Sequence, residues 1–488
     1  MRNSRSRIAG ALLLPPIFVV LACGQSNGQL RQDSSSATAE ETKAFDADTK
    51  EEQPSEPFVR WARENAIPIT TTEPGKGFDD LQPLKQIVGE ARVVGLGESI
   101  HRAHEFYRVR HRLLEFLVVE MGFTAFAMET GFAEAVKIND YVLGRIEEPE
   151  RWQHNFFTWG FGYEEELLAL VRWMRRYNQD PRHPRKLRFY GIDVAVGYSS
   201  PSAAMEGALS YLDRVDPEYA SLARRQEILP LMEKFLGSGG SDKARGVSLN
   251  KYKKLPAGER DAYTAAVADL VSRFEAKRIE YIEQSSEDDY EWALRYAVAA
   301  KQLDAAYRAA AAQAAVAQKP RSGLHRAVDA VRDRAMADNV LWALQREGPG
   351  GRIVLWAHNS HLMKAMDPEQ GPRLGLFLDS MLGHDYVNIG FTFYRGAPSG
   401  WASYQTGISE PARGGTLDGE LARVGLPMFV VDLRAVPAEG PVHEWLDRAW
   451  AMRSEMREWV LQMNPLQAWD ALFYVQQISP ARGKYGAK

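Results

Sequence analysis

Cysteine is nearly absent: 488 residues contain one. That excludes an intramolecular disulfide framework, zinc held by clustered cysteines and dithiol redox chemistry. Any run of about 20 apolar residues is missing too, which excludes a polytopic membrane protein. Neither sign of charge dominates, because 60 basic and 64 acidic side chains leave a formal net charge of −4. Electrostatic attachment to nucleic acid or to an anionic membrane surface is therefore not expected. Gly-x-Ser-x-Gly occurs once, at Gly24-Gln25-Ser26-Asn27-Gly28, in a polar stretch with no strand before it and no helix after it, which excludes the nucleophile elbow of the serine hydrolases. No His-Glu-x-x-His occurs either: His104-Glu105-Phe106-Tyr107-Arg108 has arginine where the second zinc-binding histidine would stand.

What is present is an ordinary globular composition, 45% hydrophobic and 25% charged, long enough for roughly three domains of about 150 residues each. The single cysteine, Cys23, closes an N-terminal pattern. Arg2, Arg5 and Arg7 precede an apolar stretch from Ile8 to Ala22 that is interrupted by Pro15-Pro16. A basic segment followed by a short apolar one reads as a secretory signal peptide, 1–22. Leu21-Ala22-Cys23-Gly24 then looks like a bacterial lipobox, with Cys23 the lipidated residue. Residues 23–56 hold almost no large apolar side chains and read as a disordered tether. The expected protein is exported and held to the cell envelope by its N-terminal lipid, the folded part starting near Pro57. Gly24 is not an acidic retention signal, which favours the outer membrane where there is one.

Residues 57–488 alternate short β-branched or aromatic runs with long amphipathic stretches, predicting an α/β fold with a largely parallel central sheet flanked by helices. The predicted strands are Arg92–Gly97, Thr124–Met128, Leu187–Ile192, Arg352–Ala357, Tyr386–Phe393, Met428–Leu433 and Ala471–Val475. Between the third and fourth lies a large helical insertion, about 200–348. It holds a long alanine-rich helix over Glu291–Gln318 and a loop at Gly237–Ser241. One α/β core with an insertion is expected rather than three domains.

Four of these strands run into an ionisable residue: Glu98, Glu129, Asp193 and His358. Ligands of open parallel sheets bind at the carboxyl ends of the strands, so this edge is the candidate crevice. Five of the ten histidines fall in two windows, His101, His104 and His111, then His358 and His361. Near neutral pH histidine is well suited to take a proton from water, and a nearby carboxylate can fix its tautomer. Glu98 and Glu129 are the candidates for that support, and an arginine nearby would stabilise a developing oxyanion. Asp193 is read as a site residue or as a cap, and Trp159 as core or substrate wall. His104 and His111 share a helix face and are read as packing or solvent residues, and Glu164-Glu165-Glu166 as the first turn of a helix.

The stretch Gly95–Ala135, with its Gly-Glu-x-x-His turn and Glu-Phe-x-x-x-Arg-His helix, resembles the erythromycin esterase family. The resemblance continues through Phe157-Thr158-Trp159, Phe189–Asp193, Arg332–Asn339 and Trp356–His361, and spans about Asp79–Arg434. It implies an α/β fold with a helical insertion and metal-independent hydrolysis of a macrolide lactone or similar small-molecule ester, with no cofactor. His101 then looks like the general base for water, Glu98 and Glu129 like its carboxylates, and His358 or His361 like the second histidine. Arg110 matches an arginine of the site, and Arg332 matches, more loosely, a basic residue that meets substrate, alongside His361, Asp193 and Trp159. On one straight helix His101 and Arg110 would stand on opposite sides. Either His101 precedes the helix or Arg110 is a structural ion-pair partner. Two other readings use the same crevice: a metal-dependent hydrolase with Glu98, His101, His104, Glu129, His358 and His361 as ligands, and a haem-capturing lipoprotein.

Overall fold

A computed structural model describes residues 55–152, 156–236, 246–316, 325–367, 371–397, 410–454 and 460–483. The signal peptide, Cys23, the tether up to residue 54 and the loop at Gly237–Ser241 lie outside these residues. Ten strands are described: β1 (Ile67–Pro68), β2 (Val93–Leu96), β3 (Ala125–Gly131), β4 (Arg188–Asp193), β5 (Ile353–Trp356), β6 (Tyr386–Gly396), β7 (Met428–Asp432), β8 (Trp450–Arg453), β9 (Val460–Met463) and β10 (Ala471–Ile478). Eight form the central sheet in the order β1-β7-β10-β6-β2-β5-β3-β4, and β8 and β9 form a separate antiparallel pair. From β10 to β4 every neighbouring pair is parallel, and β7 runs against β10 and β1. All seven predicted strands are present. The two-residue β1 and the β8–β9 pair are additions.

The helices that bear on the crevice are α1 (His104–Met121), α2 (Phe132–Val142), α3 (Glu165–Gln179), α4 (Pro201–Val215), α5 (Ala257–Ala276), α6 (Glu287–Val316), α7 (His325–Glu347), α8 (Asn359–Leu362) and α9 (Leu374–Leu382). Between β4 and β5 the described residues contain helices and no strand, and α6 is the expected alanine-rich helix. Strand side chains alternate between two cores. Val93, Ala125, Ile353 and Leu355 pack with α4, α6 and α7 of the insertion. Val94, Phe126, Val354 and Trp356 pack with α1 and α3 on the other face. Burial on both faces explains why β2, β3 and β5 read as continuous apolar runs rather than as alternating ones. No described helix is long and apolar enough to cross a membrane.

Strand order places the crevice. From β2 the chain passes through α1 to β3 on one side, and from β5 it passes through α8 and α9 to β6 on the other. β2 and β5 are neighbours whose connections leave in opposite directions, so a topological switch point opens beyond their carboxyl ends. Asn359 closes its floor, donating its backbone N–H to Glu98 O (2.8 Å) and its amide to Phe391 O (2.8 Å). Position 97 must be glycine for this approach, because a Cβ there would collide with the Asn359 amide.

Candidate active site

The four strands that end in Glu98, His358, Glu129 and Asp193 are consecutive in the sheet, β2, β5, β3 and β4. The residues therefore stand in one row along the carboxyl edge. Glu98 is buried at one end. Its Oε2 accepts from Arg110 Nη2 (2.5 Å), and its Oε1 from His101 (2.6 Å to Nδ1) and from Trp356 Nε1 (3.3 Å). Burial works against charge on this carboxyl, yet Arg110 and His101 outweigh it and hold its pKa below the ordinary value.

His101 lies in the turn between β2 and α1, ahead of the first helical residue His104. The turn lets His101 and Arg110 converge on Glu98 although a continuous helix would have separated them. Arg110 is fully buried, its guanidinium 3.6 Å from the centre of the Trp356 ring and bonded to Glu98 and to the Gly97 and Phe106 carbonyls. It is thus the ion-pair partner of Glu98, placed to hold the carboxylate rather than to meet a ligand. The His101 side chain remains 20% exposed. With Nδ1–H given to Glu98, its Nε2 carries a lone pair.

The other carboxylates gather at the far end of the row. Arg332, from α7, donates through Nε and Nη2 to both oxygens of Asp193 (2.7 and 2.8 Å) and through Nη2 to Glu129 Oε1 (2.7 Å). Glu129 Oε2 also accepts the His358 backbone N–H at 2.9 Å. Burial opposes its ionisation, but His361 and Arg332 hold it well below the ordinary range. The sequence reading grouped Glu129 with Glu98 around His101; the structure bonds Glu98 to His101 and Glu129 to Arg332 and His361. Asp193 additionally takes the Trp159 indole N–H at 2.7 Å, which makes Asp193 a member of this cluster and places Trp159 in the wall beside it.

Two histidines remain. The His358 ring stands 5.3 Å from that of His101. Its Nδ1 lies 3.2 Å from the Ser360 backbone N–H and 2.8 Å from Ser360 Oγ, and its Nε2 lies 3.1 Å from Ser99 O. These partners fix a neutral ring that accepts at Nδ1 and donates at Nε2. His361 donates Nδ1–H to Asp333 Oδ1 (2.7 Å). Its Nε2 lies 2.9 Å from Arg332 Nη1 and 3.3 Å from Glu129 Oε1. Without a proton it accepts from Arg332, and with one it donates to Glu129. Burial disfavours charge on the ring, but Asp333 and Glu129 overcome this and raise its pKa.

Asp333 was not among the sequence-predicted residues, although it adjoins Arg332. Helical neighbours lie about 100° apart, so one helix serves both sides of the cluster. Arg102 and Glu164 were also missed. Both are buried and paired, Arg102 Nε to Glu164 Oε1 at 2.8 Å. Burial pushes Glu164 up to about 7 despite Arg102, so this residue is no solvent-facing first-turn acid. His104 leaves the crevice to bond Glu166 (2.5 Å), and His111 is buried beside Trp173, where desolvation lowers its pKa to about 3. The ligand set imagined for a metal is thereby dispersed: among the described residues no three histidine, cysteine or acidic side chains are grouped to hold an ion.

The arrangement offers a partly exposed histidine on a buried carboxylate at one end, suited to take a proton from water, and at the other a buried arginine and histidine shared among three carboxylates. The model of the family described as erythromycin esterase matches residues 118–478, a span that includes Glu129, Asp193, Arg332, His358 and His361 and starts after Glu98, His101 and Arg110. The Escherichia coli erythromycin esterase type II is 32% identical over 343 residues, which cover 70% of this chain and 78% of that protein. The Bacillus subtilis (strain 168) protein YbfO is 22% identical over 90% of this chain and 95% of its own length. Among solved structures, a Bacillus cereus protein superposes with a TM-score of 0.72 at 24% identity, covering 88% of this chain and 99% of that one. A mutant of the erythromycin esterase EreC in its open conformation gives 0.67 at 20% identity, with 86% and 99% covered. With the family match extending from the end of α1 to the end of β10, the chain belongs to the erythromycin esterase family and is, at the level of that family, an ester hydrolase.

Proposed function

We propose that the protein hydrolyses a bulky carboxylic ester or macrolide-type lactone with water activated by His101, using neither a metal nor a covalent intermediate. The observation that carries this reading is the short bond from the partly exposed His101 to the buried, arginine-paired Glu98. In the proposed step, Nε2 takes a proton from water while the water oxygen bonds to the carbonyl carbon. The oxyanion so formed is stabilised by the His361–Arg332 end of the row. Collapse of the adduct breaks the carbon–oxygen bond to the alcohol, which receives its proton from an imidazolium. Glu98 keeps the His101 tautomer and stabilises its charged form. Trp159 supplies apolar wall for a large ring.

The test is a panel of 14- and 16-membered macrolides (about the sizes the family resemblance suggests), incubated with the protein and analysed by mass spectrometry for gain of one water. Hydrolysis that persists in EDTA and is lost in His101→Ala supports the reading. Hydrolysis abolished by EDTA would overturn metal independence, and turnover of envelope glycan esters alone would move the substrate class. We further propose that the mature protein is exported and anchored through Cys23, which predicts palmitate labelling of the full chain that disappears in Cys23→Ser.

A further inference from the structure

Two non-glycine residues among those described adopt the left-handed backbone region, Arg102 at φ 66° and Trp159 at φ 60°. Such a conformation is strained for a residue that carries a Cβ and persists only where the surroundings enforce it. The two are bonded to each other: Arg102 Nη2 donates to the Trp159 carbonyl at 2.7 Å. Arg102 directly follows His101. Trp159 donates to Asp193, the carboxylate gripped by Arg332. Arg102 and Trp159 therefore tie the turn carrying the partly exposed histidine to the Arg332–carboxylate cluster at the opposite end of the crevice.

Three further contacts fix Arg102. Its Nε is bonded to the buried Glu164, its carbonyl accepts from Ala481 N–H (2.9 Å), and the next two residues are held by the same segment. Ala103 bridges Pro480, and His104 N–H donates to Ser479 O at 2.9 Å. That segment goes on to the start of α3, where Glu165 N–H donates to Arg482 O (3.0 Å) and Arg482 N–H to Glu166. The turn after β2 has no hydrogen-bonded ladder of its own, since β2 ends at Leu96 and α1 begins at His104. Glu98 holds the His101 ring from within. Arg102 is what holds the backbone immediately beyond it.

We infer that Arg102 is a positioning residue for His101: its buried guanidinium, spanning Glu164 and the Trp159 carbonyl, holds the turn in the left-handed conformation that aims the imidazole into the crevice. The inference rests on His101 as the base. Its effect is on the placement of the base and not on substrate contact, so loss of Arg102 lowers kcat and leaves KM unchanged. Misplacement of a catalytic group by about 1 Å costs on the order of 10²-fold.

The experiment compares Arg102→Gly, Arg102→Ala and Arg102→Lys in the full chain. Glycine tolerates the positive φ, so Arg102→Gly removes the guanidinium without adding backbone strain. Two readouts are taken. The first is kcat and KM on the ester that the parent hydrolyses. The second is the ¹⁵N spectrum of the histidine ring nitrogens, with His101 assigned through His101→Ala. Arg102→Gly is expected to lower kcat by on the order of tenfold to 10²-fold, to leave KM within about twofold, and to shift the His101 signals away from the Nδ1–H form. Arg102→Lys, which retains one donor, should recover part of both, and Arg102→Ala should fall below Arg102→Gly. Unchanged ring signals and unchanged kcat in Arg102→Gly, even with a lower Tm, would overturn the inference and leave Arg102 a structural ion pair. The ring signals do not need turnover. A parent that hydrolyses none of the esters therefore sinks the proposed function alone, while the spectra still decide the placement of His101.

Discussion

Two histidine–carboxylate pairs occupy the same crevice and are built in opposite ways. His101 and Glu98 come from one short segment, three residues apart, and the histidine keeps a fifth of its side chain exposed. His361 and Asp333 come from different elements, α8 and α7, and both are enclosed. The first pair keeps its histidine in partial contact with solvent. The second surrounds its ring with Asp333, Glu129 and Arg332, so that its proton is governed by protein groups. A base that must meet water has to be reachable. A group whose work is to hold charge gains from enclosure, because a lower local dielectric strengthens each interaction. On the proposed mechanism, the contrast gives His101 the reactive role and His361 that of electrostatic support.

The largest effect that would break this contrast is expected from His101→Ala. It should lower kcat by roughly 10²- to 10⁴-fold, the range of general-base catalysis, with little change in Tm; steady-state kinetics and calorimetry on the same preparation check it. Next comes Arg110→Met, which leaves the buried Glu98 without its guanidinium. Breaking a buried pair costs about 3–5 kcal/mol, so urea unfolding should show a loss of that order. The remaining folded protein should lose the acidic part of its activity range, because Glu98 is then no longer held below its ordinary pKa.

Asp333→Asn sharpens the comparison from the other side. Asp333 raises the pKa of His361. The resulting stabilisation is complete below the unfolded value of about 6.5 and is lost as pH rises through the folded one. The variant should therefore be more destabilised, relative to the parent, at pH 6 than at pH 9, as thermal melts at the two values would show. The smallest effect is expected from Glu134→Gln. Burial raises this carboxyl to about 7, with Asp193 nearby adding to the rise. A carboxyl raised on folding contributes stability at low pH that is lost as pH climbs through its folded value. The variant should melt over a narrower range of temperatures than the parent between pH 5 and 8, by a few degrees.

How much of this was legible in the sequence follows from the range of each signal. Seven of the eight strands of the main sheet were readable because burial on both faces makes them continuous apolar runs. The two-residue β1 has no such run, since it is an edge contact made by Ile67 and Pro68 against β7. Glu98, Glu129, Asp193 and His358 were readable because each directly follows or ends a strand, a local feature. Their partners were not equally so. Asp333 was visible only as the neighbour of Arg332, and its bond to His361 depends on how α7 packs against α8. Nothing local to Arg102 marks it as buried. Its burial is created by Glu164, which lies 62 positions away, and by a segment near residue 480. The order of charges along a chain does not record which of them will be enclosed together.

Arg332 and Asp333 give α7 a consequence for how the fold tolerates change. One helix of the insertion supplies both contacts to the row of strand ends, and it does so with successive residues, so its rotation about its own axis is fixed to a single setting. The surfaces of α4, α5 and α6 carry no such obligation. Sequence drift can reshape them while the contacts to Asp193, Glu129 and His361 stay with one helix, so the outside of the insertion and the row of strand ends are free to change at different rates.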